Sequence, residues 1–253
     1  DIGDPFTLKI YSPENNKIIY SYLNKLFERK FYQNASKIIF THNEVAELHK
    51  EKFNIDSSKI VIGHPIALLN NDIIKNSLSF NYKDNPLKIG YFGAFTKSVR
   101  EPNNYILNIA NFFGDNIVHE WYINEESKKY FSLINDITYH QFFDILPRKQ
   151  ALEVMVNKIH ILLSIGNFNK YQMPSKVIEY LSLGKPVLHY AEIIDDPLYN
   201  FEILFDNLKI INSKTTKNEL ENYFEYIKEK RLELNYENFN NIFSPSKLID
   251  ELI

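Results

Sequence analysis

The chain has 253 residues, 44% hydrophobic and 24% charged, a balance that places it among ordinary globular proteins and excludes disordered and fibrous classes. A net charge of -3 gives no broad attraction to nucleic acid, so no nucleic-acid partner is expected and any anion binding must come from local basic groups. Cysteine is absent, which removes disulfides, a thiolate nucleophile and Cys-based zinc sites, and suits the cytosol.

The chain begins at Asp1 rather than Met, so a longer N-terminal segment is expected to precede it. Apolar spacing predicts a helix over 16–32, a strand over 37–41, a helix over 44–53 and a strand over 59–62. Residues 70–85, rich in Asn, Asp, Lys and Ser, break that periodicity and read as a linker, placed at 73–85. Further strands are expected at 87–92, 118–123, 137–139, 160–165, 186–189 and 208–211. Helices are expected between them at 103–113, 148–157, 175–183 and 216–230. No apolar run is long enough to cross a bilayer. Strand and helix in near-regular alternation mean parallel βαβ units. Residues 1–72 are too few for a complete doubly wound domain, whereas 86–234 suffice for one. The expected architecture is α/β, with two Rossmann-like domains and parallel sheets. The first is incomplete, and a C-terminal helix over 235–253 crosses back to it.

Two segments carry chemistry. In the first, a strand ends at Gly93, a polar loop holds Lys97 and Arg100, and Pro102 opens a helix. A glycine at this junction lets backbone N–H groups approach a phosphate, and a helix start adds partial positive charge. Taken alone, a turn glycine with solvated cations is the plainer account, because the full GxGxxG pattern is missing. In the second, Pro174 starts a helix that Gly184 ends and Pro186 stops. Ser175 and Glu179, four apart, share one face about 6 Å from each other along the axis. That is the span from a phosphate to the ribose diol of one nucleotide. The diphosphate would sit at the helix start with Ser175 or Lys176, and Glu179 would accept from the diol. The competing account makes Glu179 a surface residue paired with Lys176.

The segment Pro174-x-Lys176-x-x-Glu179-Tyr180-Leu181-x-x-Gly184-Lys185-Pro186-Val187 resembles the donor-site signature of GT-B glycosyltransferases related to family 4. Tyr91-Phe92-Gly93 with Arg100-x-Pro102 resembles the phosphate-binding loop that opens the C-terminal domain of that family. Residues 146–165 resemble its next helix and strand, and 35–65 the end of its N-terminal domain. The resemblance implies a nucleotide diphosphate-sugar donor and a carbohydrate or lipid-linked acceptor, with no metal and no cofactor. It also implies a retaining transfer of hexosyl type. Glu179 would hold the ribose hydroxyls, Arg100 and Lys176 the diphosphate, Gly93 its backbone cradle, and residues 143–146 the base. Tyr171 stands eight residues before Glu179, where family members carry a glutamate toward the transferred sugar, and offers a hydroxyl in its place. Bacterial surface-polysaccharide or glycoconjugate synthesis, in the cytoplasm with peripheral contact at the inner face of a membrane, is the setting the family implies. Two alternatives stay open: a non-catalytic partner subunit with the same nucleotide pocket, and a sugar-nucleotide 2-epimerase.

Weaker candidates remain. Asp1 and Asp4 fall where a strand of the first domain would meet the cleft on the acceptor side, although a turn carboxylate is the plainer account. His42, His64 and His140 lie at strand ends, where a lone histidine is more often structural. The seven histidines show no HxxxH or HxH spacing, Asp195-Asp196 is no DxD pair, and no Ser-His-Asp pattern is evident.

Overall fold

Apolar periodicity sets the element order in the computed structural model, which describes residues 18–65, 86–112, 116–132, 138–229 and 235–252. Asp1, Asp4 and the predicted linker at 73–85 lie outside the described residues.

The N-terminal part contains α1 (Ile18–Asn34), β1 (Ile38–Phe40), α2 (Asn43–Phe53) and β2 (Ile60–Ile62). The two strands pair in parallel, Ile38 opposite Ile60. Tyr32, Phe40, Val45 and Phe53 form the core between them and the helices. Burying these side chains supplies the driving force here, at roughly 1.5–3 kcal/mol for each fully buried aliphatic or aromatic group.

The larger part is one six-stranded parallel sheet: β3 (Leu87–Phe92), β4 (Ile117–Tyr122), β5 (His140–Phe143), β6 (Ile161–Ile165), β7 (Val187–Tyr190) and β8 (Leu208–Ile211). Their order is β5-β4-β3-β6-β7-β8, so the strand sequence reverses direction between β3 and β6. In a doubly wound sheet that reversal opens a crevice at the carboxyl ends of the strands, where ligands bind. The central strand β6 is buried at every position, as a strand covered on both faces must be. Its alternate residues serve two cores. Ile161, Leu163 and Ile165 face one helical layer, which includes α3 (Asn103–Asn108) and α8 (Lys217–Glu229). Leu162 faces the other, built by α5 (Arg148–Asn157), α6 (Ser175–Ser182), α7 (Tyr199–Glu202) and α9 (Tyr236–Phe243). A short helix, α4 (Glu125–Lys128), follows β4.

Three expectations need correction. The strand placed at 137–139 begins instead at His140, and Thr138 and Tyr139 form a turn. This is one of the two edge strands, alternately half-buried and exposed, so it lacks the continuous apolar run that marks the central ones. The helix expected over 103–113 stops at Asn108 and continues as a tighter 3-10 turn over Ala110–Phe112. The single C-terminal helix is two, because Ser244 is extended and Pro245 starts α10 (Pro245–Leu252). Phe239 and Phe243 of α9 pack into the core of the larger sheet, Phe243 also meets His64 just after β2, and α10 packs on β2 itself.

Candidate functional site

The loop after β3 is shaped by Gly93. Its φ of 151° lies in the range that favours glycine, and its N–H donates to the Tyr122 carbonyl at 3.1 Å. A Cβ added here would lie 2.8 Å from the Lys176 Nζ. Beyond it the chain makes a compact turn, with Arg100 N donating to Thr96 O at 2.9 Å and Thr96 N to Arg100 O at 3.0 Å. The turn presents the Arg100 side chain, whose Nε donates to Asn167 Oδ1 at 3.0 Å. Asn167 follows β6, so the two strands flanking the reversal each contribute one member of this pair.

Helix α6 starts at Ser175 after Pro174, whose side chain makes no cap bond, leaving the helix N-terminus open to an anion. Lys176 lies in its first turn, and its ammonium donates to the Phe92 carbonyl at the end of β3. Burial pushes the Lys176 pKa below the usual lysine value; the nearby Arg100 cation adds to this and Glu179 opposes it. One turn further, Glu179 accepts from Arg148 Nη2 at 3.3 Å. Arg148 is 84% exposed, so this ion pair is worth no more than about 1 kcal/mol and yields easily to a better partner. The helix stops at Ser182, and Gly184, just past its cap, takes the left-handed conformation at φ 67° that favours glycine.

A cleft of about 880 Å³ lies between α5, α6 and the ends of β3 and β4. Gly93, Ser175, Lys176 and Glu179 all line it, with Ile145 and Leu146 from the segment expected to meet a base. Its floor is aromatic: Phe92 and Tyr122 stack at 4.4 Å, and Tyr122 stacks on Phe143 at 4.8 Å. Arg100 and Tyr171 do not line this cleft. Arg100 stands behind the Gly93 loop, held by Asn167, while Tyr171 is half-buried in the segment after β6 with its N–H on Asn169 Oδ1 at 3.0 Å. Lys97 is exposed.

Sequence reasoning missed Asn167, Arg148 and Tyr122. Asn167 and Tyr122 belong to no local motif, Arg148 falls in the 146–165 segment without being singled out there, and each matters only because the fold brings it beside a distant group. It also missed a Ser-His-Asp cluster: His189 Nδ1 lies 3.0 Å from Ser164 Oγ and its Nε2 lies 3.1 Å from Asp196 Oδ2. All three are buried, so no substrate reaches the serine, and the cluster ties β6 and β7 to the loop that follows β7. His140 accepts from Trp121 Nε1 at 2.9 Å and stacks on His119, a structural role. Among the described residues no three of His, Cys, Asp and Glu gather as a metal site, and no helix is long and apolar enough to cross a membrane.

No protein-family model and no curated protein sequence matches the chain. Solved structures do. The chain is 12% identical to WaaG, a glycosyltransferase involved in lipopolysaccharide biosynthesis, covering 89% of this chain and 68% of that one at a TM-score of 0.55. It is 12% identical to AviGT4, a glycosyltransferase involved in avilamycin A biosynthesis, covering 85% and 60% at a TM-score of 0.55. It is 13% identical to HepE of Anabaena, solved in complex with UDP, covering 99% and 69% at a TM-score of 0.62. The chain thus spans 60% to 69% of the lengths of these three structures. The fold is of the GT-B type, with two Rossmann-like units built on parallel sheets, the first represented among the described residues by the pair β1 and β2.

Proposed function

We propose that this chain binds a nucleoside diphosphate-sugar and transfers its sugar to a carbohydrate or lipid-linked acceptor, in surface-polysaccharide or glycoconjugate synthesis. The observation that carries the reading is the convergence of Gly93, Ser175, Lys176 and Glu179 on one cleft where the strand order reverses. HepE, of like fold, was solved with UDP, which supports a nucleotide here.

In this reading each group has one task. Glu179 exchanges Arg148 for the ribose diol, an ionised acceptor meeting two neutral donors. The base lies over the aromatic floor beside Ile145 and Leu146. The diphosphate takes the open end of α6, with Ser175 beside it and the backbone of Gly93 opposite. Lys176 turns from the Phe92 carbonyl to the phosphates, and Arg100 closes from behind the loop. As the bond from the sugar to the diphosphate breaks, charge grows on the leaving oxygen. Preorganised helix N–H groups, joined by the cations brought to it, stabilise it there without a metal ion. Tyr171, which does not line the cleft, reaches the sugar with its hydroxyl only if its segment moves inward. A retaining outcome belongs to the family likeness of the motif.

The test is a calorimetric and thermal-shift panel of UDP, GDP, ADP and their sugars. A true ligand at 100 times its Kd stabilises the fold by about 2.7 kcal/mol. Failure of all of them to bind would refute the reading. Binding without turnover of any donor would favour a non-catalytic partner subunit.

A further inference from the structure

The segment 166–173 after β6 is held from two sides. Toward the donor cleft, Phe168 N donates to Val99 O at 2.9 Å. Asn167 accepts from Arg100 through Oδ1 and donates through Nδ2 to Gln172 O at 2.7 Å. On its other side the segment meets the N-terminal domain. His42, only 2% exposed just after β1, places Nε2 2.8 Å from the Lys170 carbonyl. A carbonyl can only accept, so Nε2 carries the hydrogen; the neutral ring then accepts at Nδ1, and the Thr41 hydroxyl lies 2.9 Å away to donate. Burial lowers the His42 pKa and so favours the neutral ring, whose tautomer the two hydrogen bonds then fix. Thr41 is anchored in turn. Its carbonyl takes a bond from His64 Nδ1 at 2.8 Å, and the His64 ring packs edge-on against Phe201 of α7 and Phe243 of α9. A continuous run of contacts therefore joins the strand ends of the first domain to the arginine behind the phosphate loop.

We infer that His42 is a positioning residue: its Nε2–H bond to the Lys170 carbonyl lets the first domain hold segment 166–173, and with it Asn167 and Arg100, in the geometry that receives the donor diphosphate. The diphosphate rests on the glycosyltransferase reading; the mechanical link rests on the hydrogen bonds alone. Domain closure in such folds brings acceptor to donor, and this bond makes the donor side sense where the first domain stands.

Hydrogen–deuterium exchange of the full chain tests the link without any ligand. His42→Phe keeps the ring and removes the donor, whereas His42→Gln places an amide N–H near the same point. The Phe variant should exchange about tenfold faster over 166–173 and 96–100, as the loss of one hydrogen bond allows, and Gln should restore both to within about twofold. Thr41→Val, which frees the ring without removing it, should loosen the same two segments less, and decides the matter if His42→Phe does not fold. UDP, GDP and ADP are then titrated: whichever binds the parent chain should bind His42→Phe about fivefold more weakly, and His42→Gln as the parent does. Faster exchange confined to β1 and α2, with 96–100 unchanged, would overturn the inference, as would a Gln variant no better than Phe. If none of the three nucleotides bound the parent chain, the donor reading would fall while the exchange result still decided the link.

Discussion

Glu179 and Gly93 are where single atoms decide the outcome. Among the described residues the Glu179 carboxylate is ion-paired with an exposed arginine, so its removal costs little folding energy, and alanine is at least as good a helix former. Glu179→Ala should weaken nucleoside diphosphate binding by about 1.5–3 kcal/mol, the range for a hydrogen bond to a charged group, with the melting temperature nearly unchanged. Unaltered affinity in calorimetry would return Glu179 to the role of a surface residue. Gly93→Ala should act on both quantities. Its φ of 151° strains any side chain, by about 1–3 kcal/mol, and its Cβ would push the Lys176 ammonium from the Phe92 carbonyl. Lower stability together with weaker nucleotide binding is the expected result; an alanine variant that bound normally would remove Gly93 from the cradle. Both residues were legible in the sequence because each belongs to a short local motif. Asn167 and Arg148 were not, since their partners Arg100 and Glu179 lie far away in the chain.

At the scale of elements, α6 combines a buried apolar face, an uncapped start beside the cleft and a glycine stop. Val177, Ile178 and Leu181 hold it in the core, so its N-terminus is a rigid set of donors rather than a mobile loop. If this helix end, with Lys176 and Arg100, carries the leaving diphosphate, then transfer from an identified donor should proceed unchanged in EDTA. Complete loss in EDTA with recovery in Mn²⁺ would contradict that assignment. The central strands and α6 followed from apolar runs and Pro/Gly punctuation. The edge strand β5 did not, since half of it faces solvent and its pattern is set by pairing with β4. The break between α9 and α10 was written in Pro245, yet the apolar periodicity continues across it.

Across the whole molecule, burial sets the response to pH. Desolvation lowers the pKa of His42, His49, His64 and His119, so the folded chain resists protonating them. The unfolded chain takes up those protons near pH 6.5, so the stability they confer is full above that value and is lost as pH falls below it. Glu192, pushed up to about 7 by burial, works in the opposite sense, because the folded form binds its proton first. Lys185, pushed down to about 7 by burial, adds stability as pH rises from there toward the ordinary lysine value. Four histidines against one glutamate should lower the melting temperature between pH 7 and pH 5. Between pH 7 and 9 it should rise, and Lys185→Met should flatten that rise. A flat profile below pH 7 would mean that these imidazoles are charged in the fold.

The sequence by itself determined the α/β class, the number of strands in the larger sheet and the two motifs that meet in the cleft. Alternating short apolar runs, amphipathic stretches and Pro/Gly stops are local, and they report local conformation directly. Tertiary structure alone decided the strand order, hence where the crevice opens, and which distant side chains join the motifs there. Those outcomes depend on which buried faces pack together and which polar groups find partners across loops. Such free energies belong to contacts between residues tens of positions apart, and no spacing rule along the chain encodes them.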